Sequence, residues 1–120
     1  MIHVIRSKAS RQEIDEMLVT LENYIKLAVD VRLKILAGGG ALHADCEAVL
    51  LRAGSSQIDV WGADWNPFTQ EVTFEALINI RPGQGNRKME VEDPILRNRI
   101  ERVARDLLGG IEVEKLESHS

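Results

Sequence analysis

Apolar and polar positions alternate without a break from Ile25 to Ile35, with Ile25, Leu27, Val29, Val31, Leu33 and Ile35 set against Lys26, Ala28, Asp30, Arg32 and Lys34. Period two is the mark of a half-buried strand. The same alternation recurs from Glu71 to Arg81 through Val72, Phe74, Ala76, Ile78 and Ile80. Shorter strands are expected over Met1 to Arg6, Leu42 to Arg52 and Gln57 to Trp65, with turns at Gly38-Gly39-Gly40, Gly54-Ser55 and Asn66-Pro67-Phe68-Thr69. A helix over Ala41 to Ala53 competes with the third strand, since Ala and Leu favour helix. The Gly54-Ser55 turn between two segments able to pair favours the strand. The glycine triplet would suit a phosphate cradle only if a helix followed it directly. With a strand expected there, it reads as a hairpin turn.

Two segments carry the helical period. Ser10 and Glu13 form a capping box ahead of Ile14, Met17, Leu18 and Leu21, which share one stripe of a helix over Ser10 to Asn23. Asp93-Pro94 opens the second, whose stripe is Leu96, Ile100, Val103 and Leu107 and whose stop is Gly109-Gly110. The order is strand, helix, four strands, helix. This is an α+β fold with an antiparallel sheet of about five strands and both helices on one face. Residues 1–110 form the single domain and the polar residues 111–120 a frayed tail.

Pairing across the turns sets Trp65 opposite Gln70 and divides the side chains between two faces. Cys46, Leu50, Trp61, Ala63, Trp65, Val72 and Phe74 fall on the core face. His43, Asp45, Glu47, Asp64, Glu71, Thr73 and Glu75 fall on the other, toward one end. Val49, Leu51, Ile58, Val60 and Leu77 share that second face toward the far end. A helix-free sheet face with such a patch is the surface on which a two-fold homodimer is expected.

Composition narrows the functional classes. The 120 residues carry 15 basic and 19 acidic side chains for a net charge of −4. That balance disfavours bulk attraction to nucleic acid, and two Trp, one Tyr and two Phe are too few for a base-stacking platform. No apolar run approaches the roughly 18 residues of a membrane span. The one cysteine allows no internal disulfide, and no signal-peptide pattern opens the chain, so a cytoplasmic location is expected.

Two segments carry candidate chemistry. On a strand, His43, Asp45 and Glu47 point one way, and with Asp64 across the ladder they offer nitrogen and oxygen ligands for a divalent metal, or a general base. The same pattern is that of a solvated ladder neutralised by Arg32 and Lys34. Cys46 points into the core, where a thiol is inert. The polar loop after the last strand gathers Asn79, Arg81, Gln84, Asn86 and Arg87, whose amides and guanidinium forks suit a carboxylate or phosphate. It equally suits a charged, solvated loop. Arg97, Arg99, Arg102 and Arg105 on the last helix interleave with Glu101 and Asp106, as on a solvated face. His3 and His119 point to nothing specific.

Val29-Asp30-Val31, the run from Gly39 to Glu47, Trp61-Gly62-Ala63, the run from Leu77 to Pro82, Gln84-Gly85-Asn86-Arg87, Met89-Glu90 and Asp93-Pro94 together resemble a small prokaryotic family that bears only a domain-of-unknown-function label. The resemblance spans nearly the whole chain. It implies a compact stand-alone protein without an established activity, and it carries no functional residue over. From the residues themselves, the first functional expectation is a small-ligand or anion-binding module gripped by the Asn79 to Lys88 loop and completed by His43, Asp45 and Asp64. The second is a metal-dependent phosphoester hydrolase, in which Arg81 or Arg87 steadies the phosphate. The third is an RNA-contacting regulator using the arginines of the loop and last helix.

Overall fold

Asp30 decides the topology. In the computed structural model, which describes residues 1–114, its Oδ1 accepts the backbone N–H groups of Arg32 and Leu33, each at 2.9 Å. Lys34 takes a left-handed φ of 59°, and its N–H reaches the Asp30 carbonyl at 2.9 Å. The segment that reads as one strand is therefore a hairpin of β2 (Ile25–Asp30) and β3 (Ile35–Gly38). Polar alternation continues through the turn, so hydropathy alone conceals it. Arg32, Leu33 and Lys34 lie exposed at its tip.

Five antiparallel strands form the sheet, in the order β1-β3-β2-β4-β5. β1 is His3–Ile5, β4 is Val60–Asn66 and β5 is Glu71–Thr73. α1 (Arg11–Leu18) starts at the Ser10–Glu13 capping box, and α3 (Pro94–Leu108) starts at Asp93, as the sequence pattern implies. Both helices pack on one face, where Ile14, Met17, Ile100, Val103 and Leu107 join Leu27, Val29, Leu36, Trp61 and Trp65 in one core.

The segment from Leu42 to Arg52 is not a strand. It forms a third helix, α2 (His43–Arg52). Cys46 and Leu50, one turn apart, seal onto Ala28, Ile35, Ala37 and Val60 on the opposite face of the sheet. The rival helical reading is the correct one, because a four-residue spacing buries both side chains under this layer. There is consequently no helix-free face for a homodimer. Val60 is buried beneath α2 and Val49 is half-buried on α2 itself, while the exposed Leu51, Ile58 and Leu77 lie on the helix and the adjoining turns.

The glycine triplet forms no hairpin either. Gly38 ends β3, and Gly39 (φ 106°) donates to the Lys26 carbonyl before the chain enters α2. A Cβ on Gly39 would stand 2.2 Å from the Met1 carbonyl oxygen, so only glycine fits there.

β4 and β5 pair two residues away from the expected register, with Trp65 opposite Val72. A shift of two keeps every side chain on its expected face. The Glu71 to Arg81 strand stops at Thr73, and Leu77–Asn79 forms a short 3-10 turn. At the C-terminal end, Ile111 and Val113 pack against the core and Arg11 Nη1 donates to the Glu112 carbonyl at 3.0 Å. Residues 111–114 are thus docked rather than frayed. The rest of the expected tail, including His119, lies outside the described residues. No described helix is long and apolar enough to cross a membrane.

Candidate functional site

Helical geometry breaks up the proposed metal set. On α2, His43 and Glu47 are four apart and share a face, whereas Asp45 turns away and is exposed. His43 and Glu47 then part company. His43 leans onto β4, its Nε2 lying 2.8 Å from Asp64 Oδ1 and 3.1 Å from the Ala63 carbonyl. Glu47 pairs with Arg81 at 3.1 Å, both side chains nearly buried. Among the described residues, no three or more His, Cys, Asp or Glu side chains come together to hold a metal ion. The His43, Asp45, Glu47 and Asp64 centre expected on an extended strand does not assemble.

The loop residues are brought together, but largely toward the protein itself. Arg81 donates to the carbonyls of Ile78, Gln57 and Val60, to Gln84 Oε1 and to Glu47, and its guanidinium stacks 4.5 Å from the centre of the Trp61 ring. Burial pulls its pKa below the usual arginine value, and the Glu47 carboxylate opposes that shift. Asn79 is fully buried and serves Gly62, Phe74 and Met89. Asn86 donates to the carbonyls of Asn79, Lys88 and Glu90 and accepts from the Glu92 N–H. Gln84 Nε2 donates to the Ile58 carbonyl. Of Asn79, Arg81, Gln84, Asn86 and Arg87, only Arg87 has a side chain without a partner among the described residues. The loop is a polar clasp holding the segment from Gln57 to Val60.

Most arginines of α3 are also engaged. Arg97 pairs with Glu90 and Arg105 with Glu101, while Arg99 donates to the Val31 carbonyl. Arg105 also faces the Trp65 ring at 5.8 Å. This matches the solvated-face expectation for that helix. Cys46 is fully buried, and desolvation pushes its thiol pKa above the usual range.

The unfilled polar space lies at Asp64. A groove of about 360 Å³ is lined by Asn23, Tyr24, Asp64, Asn66, Thr69, Glu71 and Thr73. A second, of about 400 Å³, shares Asp64 and Thr73 and adds Val72, Phe74, Glu75 and Glu90. Thr73 donates its hydroxyl to Asp64 Oδ2 at 3.2 Å, so His43 and Thr73 hold one carboxylate from both sides. Register places Lys26, Asp64 and Thr73 side by side across three strands. A larger groove, about 630 Å³, runs beside α1, but its walls include Leu18, Val19, Phe68 and Val113, and its Arg11 and Asp15 already pair with each other. The two Asp64 grooves meet at one carboxylate fixed by His43 and Thr73, the kind of precisely placed polar group that orients a ligand.

Asn23, Tyr24, Asn66 and Thr69 escape the sequence reading because they sit at or beside strand ends whose convergence depends on the β2–β4 pairing. Asn66 carries a local signal, since Oδ1 accepts the N–H groups of Phe68 and Thr69 as a turn-forming Asn does.

A family model described as a protein of unknown function (DUF5674) matches residues 3–107, and the chain belongs to that family. No curated protein and no solved structure matches the chain.

Proposed function

We propose that this protein is a small-ligand-binding module whose site is the polar end of the sheet around Asp64. The observation that carries this reading is the shared wall of the two grooves, in which Asp64 is braced by His43 and Thr73. A braced carboxylate loses little freedom on meeting a ligand, so less of its binding energy is lost to ordering. The linings combine amides, hydroxyls and the carboxylates of Asp64, Glu71, Glu75 and Glu90, with no lysine or arginine. That chemistry favours a hydroxyl-rich or amine-bearing ligand over an anion. The side chains of Asn79, Arg81, Gln84 and Asn86 are engaged in fixing the loop, which leaves Arg87 and Lys88 as the loop's cations without a side-chain partner among the described residues.

The test is thermal unfolding of the full chain with myo-inositol, putrescine and spermidine as probes. A ligand at a hundred times its dissociation constant stabilises the native state by about 2.7 kcal/mol. The reading expects at least one probe to raise the melting temperature and Glu71→Gln, an exposed change, to reduce the rise. No shift with any probe, or a shift indifferent to Glu71→Gln, overturns it.

A further inference from the structure

His43 has one ring nitrogen held and one free. The Ala63 carbonyl, 3.1 Å from Nε2, can only accept a hydrogen bond, so Nε2 carries the hydrogen. Asp64 Oδ1 accepts that hydrogen too, at 2.8 Å. Nδ1 is then the nitrogen with the lone pair. It has no partner among the described residues and is not among their buried, unpaired atoms, so solvent reaches it. A carboxylate-held imidazole with its other nitrogen open is an oriented nucleophile.

We propose that His43 Nδ1 is a phosphoryl acceptor, loaded by a small acyl phosphate. The Nδ1 lone pair forms the N–P bond as the bond from phosphorus to the acyl oxygen breaks. The carboxylate leaves with that electron pair. Nε2 keeps its hydrogen on Asp64, so the positive charge arising on the ring faces a negative one. Atoms and charge balance with no further reactant. The His43 side chain is only 11% exposed, which suits a small-molecule donor rather than a protein surface.

The position of His43 in the chain suits an anionic group at Nδ1. His43 is the first residue of α2, and Leu42 before it provides no side-chain cap. The backbone N–H groups of His43 and Ala44 have no partner among the described residues. Such a helix start stabilises anionic oxygens. Lys26, beside Asp64 in the sheet, places Nζ 3.1 Å from the Ala41 carbonyl, two residues before His43. Of the nearby acids, Glu47 is neutralised by Arg81, and Asp45 turns to the other side of the helix.

The experiment incubates the full chain with acetyl phosphate and follows intact mass, with peptide mapping under alkaline conditions. One acid-labile phosphoryl group is expected on the peptide containing His43, with His3 serving as the reference in the same molecule. His43→Gln removes it. Asp64→Asn slows loading by about tenfold or more, as loss of an orienting carboxylate does. Nitrogen NMR of the imidazole in the unmodified protein should show the hydrogen on Nε2, which leaves the lone pair on Nδ1. No label, equal labelling of His3, loading indifferent to Asp64→Asn, or a hydrogen on Nδ1 overturns the proposal. If a variant fails to fold, the wild-type peptide map and ring spectrum decide alone. The outcome does not depend on whether the grooves bind polyols or amines.

Discussion

The side-chain amide of Asn79 pairs with Gly62 as a neighbouring strand would. Asn79 Oδ1 accepts the Gly62 N–H at 2.8 Å, and Asn79 Nδ2 donates to the Gly62 carbonyl at 3.0 Å. This exchange replaces the ladder where β5 has ended, and it needs close approach. A Cβ on Gly62 would lie 2.4 Å from Ala76 Cβ. Asn79→Ala leaves two buried backbone groups unpaired, at about 1–3 kcal/mol each. Denaturant unfolding should therefore show a loss of about 2 kcal/mol or more. A loss under about 0.5 kcal/mol, the size of an ordinary surface change, contradicts the pairing.

The Arg81–Glu47 pair holds the loop to α2 with both side chains nearly buried. Removing one partner strands the other, so Arg81→Met should cost about 3–5 kcal/mol. Arg81→Met with Glu47→Leu should recover much of that loss, because no uncompensated charge remains. Urea unfolding of the two variants checks it, and equal instability of both argues against the ion pair.

Leu50 and Leu107 lie on opposite faces of the sheet. Each Leu→Ala change should cost about 2–5 kcal/mol, and the two losses should add within about 0.5 kcal/mol. A coupling well above that in a double-mutant cycle would place the two side chains in one core, as a strand at Leu42 to Arg52 requires.

This contrast shows which features hydropathy reveals. The α3 stripe, the α1 stripe as far as Leu18 and the face shared by Trp61, Trp65 and Val72 follow from period and capping, because each segment buries one side only. The helix expected to reach Asn23 nevertheless ends at Leu18 and leaves Leu21 in a turn. α2 escapes because its strand reading also gathers apolar residues on one side, and only contact with Ala28 and Ala37 decides for helix. The β2–β3 turn escapes because Asp30 makes it through hydrogen bonds that leave the alternation intact. At the site, His43 and Asp64 are legible as reactive types. Their meeting depends on α2 crossing β4, which no local pattern encodes.

Cys46 retains its proton in the folded state at pH values where the unfolded thiol ionises, since burial raises its pKa. The unfolded chain then binds fewer protons, so this group's stabilisation is intact below the ordinary thiol pKa and falls as pH rises beyond it. A thiol reagent at neutral pH should modify Cys46 only after denaturation. Rapid modification of the native protein contradicts its burial.

The central claim is that ligands meet this protein at Asp64. Amide-resolved NMR during titration with myo-inositol, putrescine and spermidine tests it most directly. The account predicts that the largest shifts fall on Asn23, Asp64, Asn66 and Thr73, with small responses from residues 82–88. Shifts confined to residues 82–88 or to α3 would contradict it.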